Sequence, residues 1–85
     1  MATGDPHEGL LREIIEVMNE LGPDQHWDTD FLTQKLRERG YWKGRDVKTP
    51  ERTVNMYCSQ NRDVFDMAGP NSYWLNKAYW KKQPG

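Results

Sequence analysis

Residues 48–60 read KTPERTVNMYCSQ, and this stretch decides which fold the chain adopts. Thr49 is a typical helix-capping residue, because its hydroxyl can accept a hydrogen bond from a free backbone N–H of the first turn. Pro50 at the first helical position loses no hydrogen bond, and its φ angle already suits a helix. The stretch therefore predicts a helix that begins at Pro50 and ends near Gln60, with three residues facing the core: Val54, Tyr57 and Cys58.

The outward side of this predicted helix carries Arg, Thr, Asn, Ser and Gln side chains. These side chains pair with base edges and phosphates, whereas an ordinary solvated helix shows a mixture of Glu and Lys. In a helix-turn-helix the corresponding helix enters the major groove with its N-terminal half against the bases. We therefore interpret residues 50–60 as the recognition helix of a DNA-binding winged helix-turn-helix.

The rest of the chain supplies the other elements of such a fold. Apolar residues recur at spacings of three and four between His7 and Leu21, which predicts a first helix that Gly22 and Pro23 end. The predicted class is α+β, a winged helix-turn-helix of three helices with a small antiparallel sheet. The remaining expected features are an edge strand at 25–27, a second helix from Asp28 or Thr29 to a Gly40 cap, a loop at 41–48, strands at 64–67 and 73–75 around a turn at 69–72, and flexible termini at 1–6 and 81–85 flanking a domain at 7–80.

The net charge of −1 conceals a strong polarity along the chain. Residues 1–34 hold eight acids and a single base, Arg12, whereas residues 35–85 hold eleven Lys or Arg against five acids. A pI near 6.1 is low for a nucleic-acid-binding domain, since these domains are commonly basic. Binding is therefore expected to come from a localised basic face.

Other function classes find little support in the sequence. His7 and His26 are isolated, no His/Cys cluster has metal-ligand spacing, and no glycine-rich phosphate loop is present. We therefore expect a non-catalytic domain without a metal or cofactor. A lone cysteine, Cys58, and the lack of a secretion signal or an apolar span favour an intracellular location, cytoplasmic or nuclear.

Candidate DNA contacts follow from the docking geometry of a recognition helix. Arg52 can pair with guanine, and Asn55 or Gln60 with adenine. Thr49, Thr53 and the helix N-terminus suit phosphates, while bases around the helix would attract DNA in a salt-dependent way. The full set of expected contacts is Lys43, Arg45, Lys48, Thr49, Arg52, Thr53, Asn55, Met56, Ser59, Gln60, Arg62, Asn71 and Ser72. An alternative for Arg52 is an ion pair with a neighbouring acid, and Met56 is equally well explained as a packing residue.

Several segments also resemble the HARE-type winged-helix domain. These segments are Gly40-Tyr41-Trp42, Lys48-Thr49-Pro50-Glu51-Arg52-Thr53-Val54, Phe65, Ala68-Gly69-Pro70 and Tyr73-Trp74-Leu75, within a resemblance that covers about residues 7–76. The resemblance implies a module that binds double-stranded DNA, as in restriction endonucleases and chromatin regulators, and we expect it to be monomeric. The family is linked to sensing DNA modification, so the domain is a candidate reader of methylated bases within a modification-dependent restriction enzyme or a similar DNA-processing protein. A related domain opens the delta subunit of bacterial RNA polymerase, so a protein-interaction module is the alternative. Family members often carry more lysines and arginines in the wing, whereas the turn here has only the uncharged residues Asn71 and Ser72.

The tryptophans allow more than one interpretation. Trp42 lies just before the predicted recognition helix, where it is a candidate contact for a modified base, although packing between the second and third helices explains it better. Trp27 and Trp74 are expected in the core or sheet. Tyr79 and Trp80 are expected either to fold back on the first helix or to form a docking patch for a partner.

Overall fold

Three helices and a small antiparallel sheet make up the computed structural model, which describes residues 9–44 and 48–81. The helices are α1 (Leu10–Leu21), α2 (Thr29–Glu38) and α3 (Pro50–Gln60), and the strands are β1 (His26–Asp28), β2 (Phe65–Gly69) and β3 (Ser72–Leu75). A short 3-10 helix, Lys77–Tyr79, follows β3. The predicted α+β class is confirmed, and the order of elements is compatible with a winged helix.

The ends of α2 are fixed by local hydrogen bonds at both termini. The Asp28 carboxylate accepts a bond of 2.8 Å from the Asp30 N–H, as expected of a helix cap. At the other end, Gly40 adopts φ +81° while its own N–H and that of Tyr41 bond the carbonyls of Arg37 and Leu36. This pair of hydrogen bonds around a glycine in the left-handed conformation is a Schellman motif, and it turns the chain sharply out of the helix.

The sheet has the strand order β1-β3-β2, with both pairs antiparallel. His26 lies opposite Trp74, and Asp66 of β2 lies opposite the same residue from the other side. A bulge between Met67 and Gly69 precedes the tight turn at Pro70 and Asn71, where Asn71 adopts φ +64°. The Asn71 carbonyl accepts a 2.7 Å bond from the Thr29 N–H, so the hairpin tip rests against the start of α2.

One apolar core joins all three helices to the inner face of the sheet. Helices and sheet contribute the side chains that are almost completely inaccessible to solvent: Leu10, Ile14, Val17, Met18, Leu32, Leu36, Val54, Cys58, Phe65, Tyr73 and Leu75. Burial of this set removes a large apolar area from water, which is the main force that stabilises the fold. Tyr57, expected inward, is only half-buried.

The segment after β3 folds back on α1, as one of the two interpretations predicted. Asn19 of α1 donates to the Tyr79 carbonyl (3.2 Å) and accepts a 2.8 Å bond from the Lys81 N–H. The indole N–H of Trp80 donates to the Leu75 carbonyl (2.9 Å) while the ring packs against the core. Lys81, the first residue of the expected flexible C-terminus, is therefore tied to α1. The other parts of the expected flexible termini, and the first turn expected at His7, lie outside the described residues.

Candidate nucleic-acid interface

The outward side of α3 presents a stripe of side chains one helical turn apart. Arg52, Met56 and Gln60 follow one another at intervals of four residues, and all three are exposed, Met56 to 42%. Such spacing places them on one face of a helix. The opposite side is held in the core by Pro50, Val54 and Cys58. The stripe is therefore available to a ligand along the whole length of α3.

Two hydroxyls beside this stripe are bonded to the helix itself. Thr53 Oγ1 donates to the Thr49 carbonyl at 3.2 Å, and Ser59 Oγ donates to the Met56 carbonyl at 2.9 Å. Both side chains are half-buried. They can still accept a hydrogen bond from a ligand, but their protons are already used.

The capping bond expected at Thr49 is absent. Thr49 occupies the capping position with φ −132° and ψ 72°, and its side chain makes no bond to the first turn of α3. Its carbonyl instead accepts from both the backbone N–H and the hydroxyl of Thr53. That prediction was wrong, because the orientation of the chain entering α3 decides where the hydroxyl points. The Thr49 side chain remains exposed.

Asn55 lies at the inner edge of the stripe. Its Oδ1 accepts a hydrogen bond of 3.4 Å from the Tyr73 hydroxyl of β3, and the side chain is half-buried. The bond is long and therefore weak. Asn55 contributes to packing between α3 and the sheet, which makes it a less accessible contact than Arg52 or Gln60.

The lysines and arginines divide into two groups according to whether they form ion pairs. Lys35, Arg37, Arg39 and Lys81 each lie within ion-pair distance of a glutamate. The side chains of a second group form no ion pair with any described acid. This group consists of Arg12, Lys43, Lys48, Arg52 and Arg62. Four of these five lie on α3 or on the segments that lead into and out of it. The alternative in which Arg52 pairs with a neighbouring acid is therefore not observed among the described residues.

The acidic side of α1 is largely neutralised within the domain. Arg39 reaches Glu20 at 2.6 Å and Glu13 at 3.3 Å, and Lys81 pairs with Glu16. The hydrogen bond from Arg39 holds the pKa of the Glu20 carboxyl below its ordinary value, and the same bond raises the pKa of Arg39. The negative charge of residues 1–34 is thus partly cancelled by bases from the other half of the chain.

Arg37 joins α2 to α3 through Glu51, a contact that the sequence reasoning missed. The guanidinium lies 3.6 Å from the Glu51 carboxylate, and both groups are more than half exposed. Glu51 is the one acid within residues 48–60, and this could have indicated that it forms an ion pair with a lysine or arginine of another element. The pair leaves Arg52 as the uncompensated charge in the first turn of α3.

Trp42 belongs to the core and is only 8% exposed. Its ring meets that of Tyr41 edge to face, with centroids 5.2 Å apart, and its buried indole N–H has no hydrogen-bond partner among the described residues. The interpretation of Trp42 as a surface contact for a modified base does not fit this burial. The packing interpretation agrees with it.

The remaining expected contacts differ in how they are placed. Lys43, Lys48 and Arg62 are exposed, whereas Arg45 lies outside the described residues. In the hairpin turn Asn71 is exposed and Ser72 is half-buried. Because β1 pairs with β3 as far as Ser72, the hairpin projects only two residues beyond the sheet. The wing is therefore short and carries no base at its tip.

The described residues hold no cluster of side chains suited to metal binding, and their one cysteine is poorly suited to catalysis. No group of three or more His, Cys, Asp or Glu side chains within residues 9–44 and 48–81 could hold a metal ion. Burial raises the pKa of the Cys58 thiol to about 12, so this cysteine is uncharged near neutral pH and weakly nucleophilic. None of the helices in these ranges is long and apolar enough to span a membrane.

Comparison of the chain with protein-family models, with curated proteins and with solved structures yields no match. The chain folds as a winged-helix-like domain whose third helix carries an exposed stripe of side chains. Arg52 on that helix, and Lys43, Lys48 and Arg62 beside it, have no ion-pair partner among the described residues. The assignment of these side chains to DNA contact stays a prediction.

Proposed function

We propose that the domain binds double-stranded DNA, with α3 in the major groove. The observation that carries this proposal is the distribution of unpaired charge. Four lysines and arginines elsewhere in the domain form ion pairs with glutamates. In contrast, Lys43, Lys48, Arg52 and Arg62 around α3 have no described acidic partner. A phosphate backbone attracts such charges through the release of its counterions.

The stripe on α3 would supply the contacts to bases. Arg52 donates in the fork geometry that matches guanine O6 and N7, and Gln60 has the amide that matches adenine. Met56 offers an apolar contact between them, suited to a thymine methyl group. Lys43, Lys48 and Arg62 would contact phosphates and so position the helix without reading sequence.

The proposal extends to DNA in general and does not depend on base modification. Trp42, the aromatic residue that could have enclosed a methyl group, is buried. Phosphate contacts by the wing are expected to be few, since its exposed tip carries Pro70 and Asn71 but no base. Moderate affinity with a small number of phosphate contacts is the consequence.

The alternative is a winged helix that binds another protein through the acidic side of α1. The ion pairs of Arg39 and Lys81 with that side weaken this alternative, because they already compensate Glu13, Glu16 and Glu20. A titration of fluorescently labelled duplexes at two salt concentrations separates the two functions. The duplexes should be matched in sequence and either unmodified, adenine-methylated or cytosine-methylated.

We expect all three duplexes to bind, with affinity that falls as salt rises. A slope of log Kd against log salt that corresponds to roughly three to five phosphates would match the number of lysines and arginines around α3 that have no described acidic partner. Preference for one methylated duplex would add modification reading to the function and place it outside Trp42. Absence of binding to every duplex at low salt would refute the proposal in favour of a protein partner.

A further inference from the structure

The outer face of the sheet carries a groove that the proposed DNA contacts leave unused. The groove has a volume of about 450 Å³, and the residues that line it include Trp74, Trp80, Asp24, Asp66 and Lys77. Its volume falls within the range of ~300–1,000 Å³ that is typical of small-ligand sites. The Tyr73 side chain points to the opposite, core side of β3 and does not line the groove. The groove is therefore separated from α3 by the sheet itself.

Two aromatic rings of the groove are held by specific contacts. His26 packs edge to face against Trp74, with centroids 5.1 Å apart and an interplanar angle of 66°. The indole N–H of Trp80 is bonded to the Leu75 carbonyl at 2.9 Å. Trp74 is nevertheless 39% exposed, a large fraction for a tryptophan that a core does not need. Both rings are thus oriented in advance of any ligand.

The charges beside these rings favour a positively charged ligand. Asp66 lies directly across the strand pair from Trp74, so its carboxylate is next to the indole. Neither the Asp66 nor the Asp24 carboxylate forms an ion pair or hydrogen bond within the described residues. The face of an indole ring attracts cations through its quadrupole. Aromatic faces and free carboxylates therefore converge on the same kind of ligand.

We propose that this groove binds the side chain of a lysine in a peptide, most tightly when its ammonium is trimethylated. Aromatic surfaces suit methylated ammonium groups, whose charge is spread over an apolar surface. A peptide is the expected source because β2 is an outer strand of the sheet, with an edge that can pair with an extended chain beside the groove. The two carboxylates outnumber the one base of the groove, Lys77.

Lys77 gives the proposal a test in the opposite direction. Its ammonium repels an incoming cation, so neutralising it in Lys77→Gln should tighten binding. Asp66→Asn should weaken binding by removing an attractive charge, and Trp74→Ala should weaken it by removing a ring. Met67→Ala is the matched control, since Met67 is exposed to 48% on the same strand but does not line the groove.

The experiment is an NMR titration that follows the indole N–H signals of the 85-residue chain. The probe is a glycine-flanked peptide with one trimethyl-lysine, compared with the same peptide carrying the neutral all-carbon analogue of that side chain and with free choline. We expect the charged peptide to bind about two- to fivefold more tightly than the neutral one. Met67→Ala should bind like the unaltered chain, whereas Trp74→Ala and Asp66→Asn should bind more weakly.

Equal affinity for the charged and neutral peptides would overturn the proposal, as would no shift of the Trp74 and Trp80 signals. Choline that binds as tightly as the peptide would overturn the assignment to a peptide. A Lys77→Gln chain with no gain in affinity would contradict the electrostatic basis. Because Asp66 is exposed, Asp66→Asn keeps the test valid if Trp74→Ala disturbs the fold.

Discussion

At the scale of single residues, two helix starts show how local geometry decides what a capping residue does. Asp28 has an extended backbone, φ −73° and ψ 140°, and its carboxylate bonds the first turn of α2. Thr49 is also of a capping type, but at φ −132° and ψ 72° its side chain makes no such bond. Residue type alone therefore left the cap of α2 open between Asp28 and Thr29, and it predicted the capping bond of α3 wrongly.

This difference predicts unequal losses of stability on substitution by alanine. Asp28→Ala removes a capping bond and should lower the free energy of unfolding by about 1 kcal/mol. Thr49→Ala removes no capping bond and should cost less than about 0.5 kcal/mol, the usual limit for an exposed residue. Urea unfolding of the two variants beside the parent chain measures both values. Equal losses would mean that the Thr49 hydroxyl caps α3 in solution.

The buried thiol of Cys58 makes stability depend on pH above neutrality. Its pKa is raised from 9.0 to about 12 by burial, so the folded chain retains the proton in a range where the unfolded chain releases it. The contribution of the protonated Cys58 thiol to the unfolding free energy is therefore fully present below pH 9. It is lost as pH rises towards 12, by up to ~1.4 kcal/mol for each pH unit.

The contribution of Cys58 is isolated by comparison with Cys58→Ala. We expect the difference in unfolding free energy between the two chains to shrink as pH rises from 9 to 11, because only the parent chain has a thiol that ionises in the unfolded state and so loses stability. Thermal unfolding at several pH values measures this difference. A difference that stays constant over this range would contradict the burial of the thiol.

At the scale of elements, the end of α2 is joined to α1 by Arg39. Residues 19 and 26 positions away, Glu20 and Glu13, supply the carboxylates. We expect Arg39→Gln to return the pKa of Glu20 towards the ordinary glutamate value, because the hydrogen bond that lowers it is lost. NMR titration of the Glu20 side chain from pH 2 to 7 provides the measurement. An unchanged pKa would show that the ion pair does not persist in solution.

The stability of Arg39→Gln should change little, because these groups are exposed to solvent. Lys35→Gln is a useful control, since Lys35 also forms an ion pair on α2 but with Glu38 of the same helix. It should leave the pKa of Glu20 where it is in the parent chain.

How far the sequence predicted each element depended on whether its signal was local. The periodicity of residues 10–21, the Gly40 cap and the turn at Pro70 and Asn71 are local features, and each predicted its element correctly. The burial of Trp42 and the bond between Asn55 and Tyr73 depend on how elements pack, so residue types near the helix junction could not decide them. Ion pairs such as Arg39 with Glu13 join distant segments and have no local signature.

At the scale of the whole molecule, the domain presents two surfaces of different chemistry. The surface of α3 combines the stripe Arg52, Met56 and Gln60 with lysines and arginines of the adjoining segments that form no ion pair with a described acid. On the outer face of the sheet, Trp74 and Trp80 lie beside unpaired carboxylates. The net charge of −1 therefore averages over regions that would attract opposite partners.

The proposed contact between Arg52 of α3 and DNA can be tested with a matched pair of variants. Arg52 and Arg12 are both exposed, lie on helices and have no described acidic partner, but Arg12 is on α1. Replacing either by alanine lowers the net charge equally. Affinity for a labelled duplex should be measured for both variants and the parent chain at the same low salt concentration.

We expect Arg52→Ala to lose about 1–3 kcal/mol of binding free energy, the usual contribution of an arginine to base recognition, and Arg12→Ala to bind like the parent chain. Both variants should retain the unfolding free energy of the parent chain within about 0.5 kcal/mol, as is usual for exposed positions. Equal losses for the two variants would indicate attraction by net charge alone. Undiminished binding by Arg52→Ala would contradict the placement of α3 against DNA.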